Sequence, residues 1–379
     1  MSATEEKINV DIKQLDFKEM KGNGTKIVGY VPNGYVPTEL IYACGVVPAA
    51  IARGGDSKPL AASASYLSRF LDTFCRAQIG YKKLGEEPLY NMIDLLIVPI
   101  TDMHFRGIAE SWEFFSDIDV FSFPVPHAKT KHATQHYLEG IKLVKERLEK
   151  LTGNEITADR LKEEIELTNK IRNLLKEISL MRRLEQPPIT GKDFVRLIHS
   201  SFYTDRSTLI KSLESIRDEL KDKTAPSMEK PRILLTGSTL AVGDYKVIDL
   251  LEEAGASVVI EEFCEGLPDY WQTVDTDDDP MHALATSYFA KTIPGAFFRG
   301  AAKERFDFLL KLAQNFKIDG VVWYSLMHRE SYDIEGYLFH EVASQHNLPM
   351  LKIISNYDAS ETGAIRTRIE TFIETIKAR

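Results

Sequence analysis

Cysteine is scarce in this 379-residue chain, occurring only as Cys44, Cys75 and Cys264. Three widely spaced thiols exclude a zinc knuckle and are too few for a disulfide framework, so free thiols in a reducing cytoplasm are expected. Excess basic charge is missing too: a net charge of −9 argues against a general nucleic-acid binder, whose footprint would be basic. No apolar run approaches the ~18 residues that span a bilayer. Residues 1–21 lack the apolar middle of a signal peptide. These absences leave a cytoplasmic protein with neither membrane nor nucleic acid as partner. A hydrophobic share of 44% and a charged share of 27% fit a globular chain long enough for two domains.

What is present is alternation. Short continuous apolar runs at Lys26–Pro32, Val46–Ile51, Met92–Ile100 and Val120–Val125 have the form of strands buried on both faces of a parallel sheet. A helical stretch, Ala61–Leu84, lies among them. The middle of the chain differs: Tyr137, Ile141, Val144, Leu148 and Leu151 share one helix face, and Thr152-Gly153-Asn154 is a stop. Thr157 is placed to cap a second helix, carrying Leu161, Ile165, Thr168, Arg172 and Leu175 on one side. Pro187-Pro188 ends that run. Strands return at Arg232–Leu235, Ser257–Glu261, Gly320–Tyr324 and Met350–Ile354, separated by helices at Tyr245–Ala254, Ala302–Asn315, Ile334–His346 and Arg366–Ile376. The pattern predicts an α/β protein with two parallel-sheet domains of Rossmann-like or flavodoxin-like form, joined by a helical connector. The expected divisions are 1–21 (N-terminal extension), 22–130 (first domain), 131–227 (connector) and 228–379 (second domain).

Local motifs leave function open. Leu235–Gly243, with Ser238 and Thr239 in it, is either a tight strand-to-helix turn or a phosphate-binding turn. It lacks the third glycine of a dinucleotide fingerprint. Arg53-Gly-Gly-Asp-Ser57 reads as a surface loop, or as a loop whose amides and cation hold a phosphate or a pantetheine carbonyl. His132 and His136 share a helix face but have no Glu between them in the metalloprotease position, so a solvated helix start is the plainer reading. Asp275–Asp279 reads as a solvated turn before a helix.

An ordered set of segments goes further. Gly29-Tyr-Val-Pro-Asn-Gly-Tyr35-Val-Pro37-Thr-Glu39, Phe74-Cys75-Arg76, Asp94–Pro99 and Trp112 come first. Asn169 with Arg172, Pro187–Gly191, Leu235-Thr-Gly237 and Phe263–Gly266 follow, then Tyr332–Glu335, Tyr357 and Gly363–Phe372. Together they resemble the smaller subunits of 2-hydroxyacyl-CoA dehydratases, the related subunits of ATP-dependent benzoyl-CoA reductase, and the double-cubane cluster proteins. The resemblance runs from about residue 26 to 376.

It implies a heterodimer of two homologous subunits acting on an acyl-CoA substrate. An ATP-hydrolysing iron–sulfur activator supplies single electrons, and the thioester carbonyl is reduced to a ketyl radical. Iron–sulfur clusters carry that electron chemistry. It also implies three cluster-ligand positions, which fall on Cys75, Asp102 and Arg329. Only Cys75 can supply a thiolate, and arginine cannot ligate iron at all. A [4Fe-4S] cluster is therefore expected in the complex but in the partner subunit. Cys75 is a metal ligand or a small buried hydrophobe, and an Asp102–Arg329 ion pair is expected to fill the emptied positions. Glu39 is a catalytic acid or base, or else a carboxylate suited to a helix N-terminus. Ser238, Thr239 and Arg53 are the substrate-binding candidates. Three readings stand: an enzyme subunit (lyase or acyl-CoA reductase), a non-catalytic scaffold or regulator, and a binder of CoA thioesters or nucleotides.

Overall fold

The computed structural model describes residues 10–221, 223 and 230–379; the first nine residues of the expected extension and the end of the expected connector lie outside them. After a short helix α1 (Phe17–Gly22), the first sheet is built from β1 (Ile27–Tyr30), β2 (Val47–Ala50), β3 (Leu95–Ile100) and β4 (Asp119–Pro124). All pairings are parallel, in the order β2-β1-β3-β4. Leu95, Leu96, Ile97 and Val98 are fully buried, which is why β3 reads as a continuous apolar run. Pro99 is tolerated because β1 pairs with β3 only as far as Ile97, leaving Pro99 beside β4 alone.

Helices α2 (Thr38–Ala43), α3 (Ser57–Ser63), α4 (Thr73–Leu84) and α5 (Met103–Phe115) connect these strands. The single helix expected over Ala61–Leu84 is thus two. Asp72 interrupts it by capping α4, its carboxylate accepting from the Cys75 amide. The two helices then cross so closely that a Cβ on Gly80 would lie 1.9 Å from the Pro59 carbonyl oxygen.

The connector comprises α6 (Lys131–Thr152), α7 (Ala158–Met181), α8 (Gly191–Ser201) and α9 (Arg206–Lys221). Thr130 and Thr157 cap α6 and α7, and left-handed Gly153 ends α6. The second sheet contains β5 (Arg232–Gly237), β6 (Ser257–Glu262), β7 (Gly320–Leu326) and β8 (Met350–Ser355), again parallel, in the order β6-β5-β7-β8. Its helices are α10 (Lys246–Glu253), α11 (Leu267–Trp271), α12 (Pro280–Ala285), α13 (Ala302–Asn315), α14 (Glu330–Gln345) and α15 (Thr362–Lys377). No helix among the described residues is long and apolar enough to cross a membrane.

Both sheets reverse their winding beside the first strand, between β1 and β3 and between β5 and β7. Open α/β sheets place ligands outside the carboxyl ends of such strands. Here those ends face each other. Arg53 and Val242 form a parallel bridge between the two halves, with the Gly54 amide donating to Val242 and the Val242 amide donating to Ala52. Gly54 and Gly55 make the approach possible: a Cβ on Gly54 would lie 2.5 Å from Ala241, and one on Gly55 (φ +82°) 2.4 Å from the Gly243 oxygen.

Candidate functional site

At the facing carboxyl ends, the loop after β7 brings Arg329 between two carboxylates of the first domain. Its guanidinium donates to Asp102 at 2.9 Å and to Asp72 at 3.2 Å. Asp72 caps α4 and Asp102 caps α5, each with one oxygen, and the other oxygen of each accepts from Arg329. Positive charge at a helix N-terminus is unfavourable; the two capping carboxylates allow it here. The Cys75 thiol, fully buried, donates to Asp72 at 3.1 Å. His104 accepts from the Asp72 amide through Nδ1, so its other nitrogen carries the proton that faces Glu330 at 3.3 Å. Tyr332 stacks near the Arg329 guanidinium and meets the Cys264 thiol at 2.9 Å.

The electrostatics follow from this geometry. Burial works to lower the Arg329 pKa, but Asp102 and Asp72 outweigh it and hold it well above its ordinary value. Burial would raise Asp102, yet the Arg329 charge and two amide hydrogen bonds leave it below the carboxylate range. Burial, with the Asp72 charge, pushes the Cys75 thiol well up, whereas a cluster needs thiolate. The pair expected from the sequence, Asp102 with Arg329, is present. Sequence reasoning misses Asp72, since its capping signal gives no hint of a cation 257 residues away. This donor set does not fit an iron–sulfur cluster: a permanent cation lies among the three positions and one protonated thiol remains. No group of three or more metal-ligating side chains occurs among the described residues.

Glu39 lies elsewhere, in the first turn of α2 and fully buried. It pairs with Arg172 of α7 at 2.8 Å and accepts from the Tyr288 hydroxyl at 2.7 Å. Arg172 also donates to the Asp269 carbonyl and to Asn169, whose amide exchanges two hydrogen bonds with the backbone of Val274. First domain, connector and second domain meet at this one joint. Asn169 and Arg172 are legible as singular residues in the sequence; their partners are not.

The remaining candidates are also engaged in joints. Arg53 Nε donates to Glu87 at 2.6 Å. The Ser238 hydroxyl accepts from the Leu326 amide at 2.9 Å, and its own amide donates to the Tyr324 carbonyl. Both bonds tie the β5 turn to β7. Thr239 is buried and hydrogen-bonds Glu265. The structure thus brings Cys75, Asp102 and Arg329 together, while Glu39, Arg53, Ser238 and Thr239 hold separate positions. His132 and His136 start α6, and Asp279 caps α12.

Glu265 gives the site a pH dependence. Burial pushes its carboxyl up to about 8 against the hydrogen bonds that favour ionisation, and burial likewise takes Asp244 to about 6. Unfolded, these groups titrate near ~4. Between about pH 4 and 8 the folded chain therefore holds protons that the unfolded chain has released, and stability falls as pH rises. Glu265→Gln is expected to flatten that fall in thermal midpoints measured from pH 5 to 8; a slope equal to that of the native chain would contradict it.

Comparison with known proteins places this architecture. Residues 33–376 match the family model described as "2-hydroxyglutaryl-CoA dehydratase, D-component". The chain is 26% identical over 365 residues to the "Putative dehydratase subunit YjiM" of Escherichia coli (strain K12), covering 95% of this chain and 94% of that one. It is 21% identical to the (R)-phenyllactyl-CoA dehydratase beta subunit of Clostridium sporogenes (96% and 95% covered). To one of the subunits of benzoyl-CoA reductase from Thauera aromatica it is 22% identical (93% and 91% covered). The chain belongs to the family of the 2-hydroxyglutaryl-CoA dehydratase D-component, which embraces dehydratase and benzoyl-CoA reductase subunits.

Proposed function

We propose that this chain is the clusterless subunit of a two-subunit dehydratase or reductase that acts on an acyl-CoA thioester. The [4Fe-4S] cluster and the electron chemistry are assigned to a homologous partner subunit served by an ATP-hydrolysing activator. One observation carries the division of labour: Arg329 and Asp102, at two of the three positions where the family resemblance puts cluster ligands, are paired with each other, and Arg329 also reaches Asp72. In this reading Glu39, Arg53, Ser238 and Thr239 are positioning residues, because each is held by another element of this chain.

Three further features support the reading. The relatives are named as subunits, and Phe70, Met103 and Phe114, 61%, 67% and 82% exposed, border one open groove. An apolar surface of that kind suits a protein partner. The three free thiols suit a reducing, cytoplasmic compartment.

Anaerobic co-expression of this chain with a homologous cluster-bearing subunit tests the reading. The expected result is a brown heterodimer whose iron stays with the partner after the chains are separated, and whose thioester activity requires both chains. A partner equally active alone would favour the scaffold reading, and failure to associate would overturn the proposal.

A further inference from the structure

A cavity of about 90 Å³ lies between the β1 loop, α7 and α9. Asn33 is on its wall, 4% exposed, and neither its amide nitrogen nor its carbonyl oxygen has a hydrogen-bond partner among the described residues. A buried primary amide with both ends unpaired costs several kcal/mol unless something fills the space. Gly34, at φ +78°, turns the chain immediately after it.

The charges on the wall are already compensated. Arg172 is closed by Glu39 and Arg206 by the buried Glu164. Arg206 also lies 3.6 Å from the centre of the Tyr42 ring. Among the described residues of the wall no free cation remains to receive an anion, and Asp269, on the same wall, would repel one when ionised. Ile171, Leu175 and Leu209 supply apolar wall beside these polar groups.

We infer that this cavity binds a small uncharged molecule with an amide edge, a primary carboxamide or lactam on a short apolar group, paired with Asn33. Such an edge offers one donor beside one acceptor, the complement of the free Asn33 amide, while its apolar part covers the isoleucine and leucines. The inference stands independently of the proposed enzyme complex, because the cavity is formed by this chain alone.

Saturation-transfer NMR and calorimetry on the full chain, with propionamide, benzamide and propionate as probes, test it. The amides are expected to bind the native chain and to lose about tenfold or more in affinity with Asn33→Leu, the value of two hydrogen bonds. Asn33→Leu removes an unpaired polar group, so its thermal midpoint is expected to equal or exceed that of the native chain; Asn33→Ala gives a second, smaller replacement. Equal amide binding by the native chain and both variants would overturn the site. Preferential binding of propionate would overturn its uncharged character, and no amide binding would reduce the cavity to a water site.

Discussion

Arg329→Leu is expected to cost about 3–5 kcal/mol of folding stability, the range for stripping one partner from a buried ion pair. The native guanidinium is 3% exposed and Asp72 is 1% exposed, so the orphaned carboxylates have little water to turn to. The size of the loss should depend on pH in a definite direction. Arg329 helps hold Asp102 below its ordinary pKa, so its contribution is present above the unfolded value of ~3.9 and is lost as pH falls through the folded one. The deficit of the variant is therefore expected to shrink in acid. Adding Asp102→Asn should recover part of the loss at neutral pH, since asparagine removes the charge and still caps α5. Urea midpoints followed from pH 7 down to about pH 2.5 measure both effects. A loss below about 1 kcal/mol, typical of a surface pair, would mean that these charges do not form a buried lock.

The second large effect is a gain. Cys75, Asp102 and Arg329 lie in one small region, linked through Asp72 by contacts of 2.9–3.2 Å. Asp102→Cys combined with Arg329→Cys would place three thiols there and remove the cation that excludes iron. After anaerobic incubation with iron and sulfide, the double variant is expected to take up about four irons per chain and turn brown. Without iron it should be less stable than the native chain, because it has lost both an ion pair and a helix cap. Circular dichroism shows whether it is folded. A folded variant that takes up no more iron than the native chain would show that these positions do not converge as cluster ligands.

Much of the fold is legible in the sequence because parallel strands buried on both faces leave an unmistakable trace: Leu95–Ile100 and Gly320–Leu326 are apolar almost throughout. The connector is legible through its caps, Thr130 apart, since Thr157 and Gly153 mark boundaries chemically. The break before α4 escapes notice because apolar period alone joins Ala61 to Leu84, and only Asp72 ahead of Thr73 signals a restart. The Gly54-Gly55 pair announces a close approach but not what it approaches; a bridge to Val242 depends on how two domains dock. The site divides in the same way. Asp102 and Arg329 can be paired in advance because a family pattern puts both at one place. Asp72, and the contacts of Glu39 with Arg172 and Tyr288, join residues far apart in sequence with no such pattern, and only the folded chain reveals them.

In the proposed division of labour, the Asp102–Arg329 ion pair stands at two of the three positions where the family resemblance puts cluster ligands. Iron and acid-labile sulfide analysis of the native chain, expressed alone and purified without oxygen, tests it most directly. Iron far below one atom per chain, with a colourless protein, is the expected result. Iron and sulfide stoichiometric with the chain would contradict it, whatever the partner subunit holds.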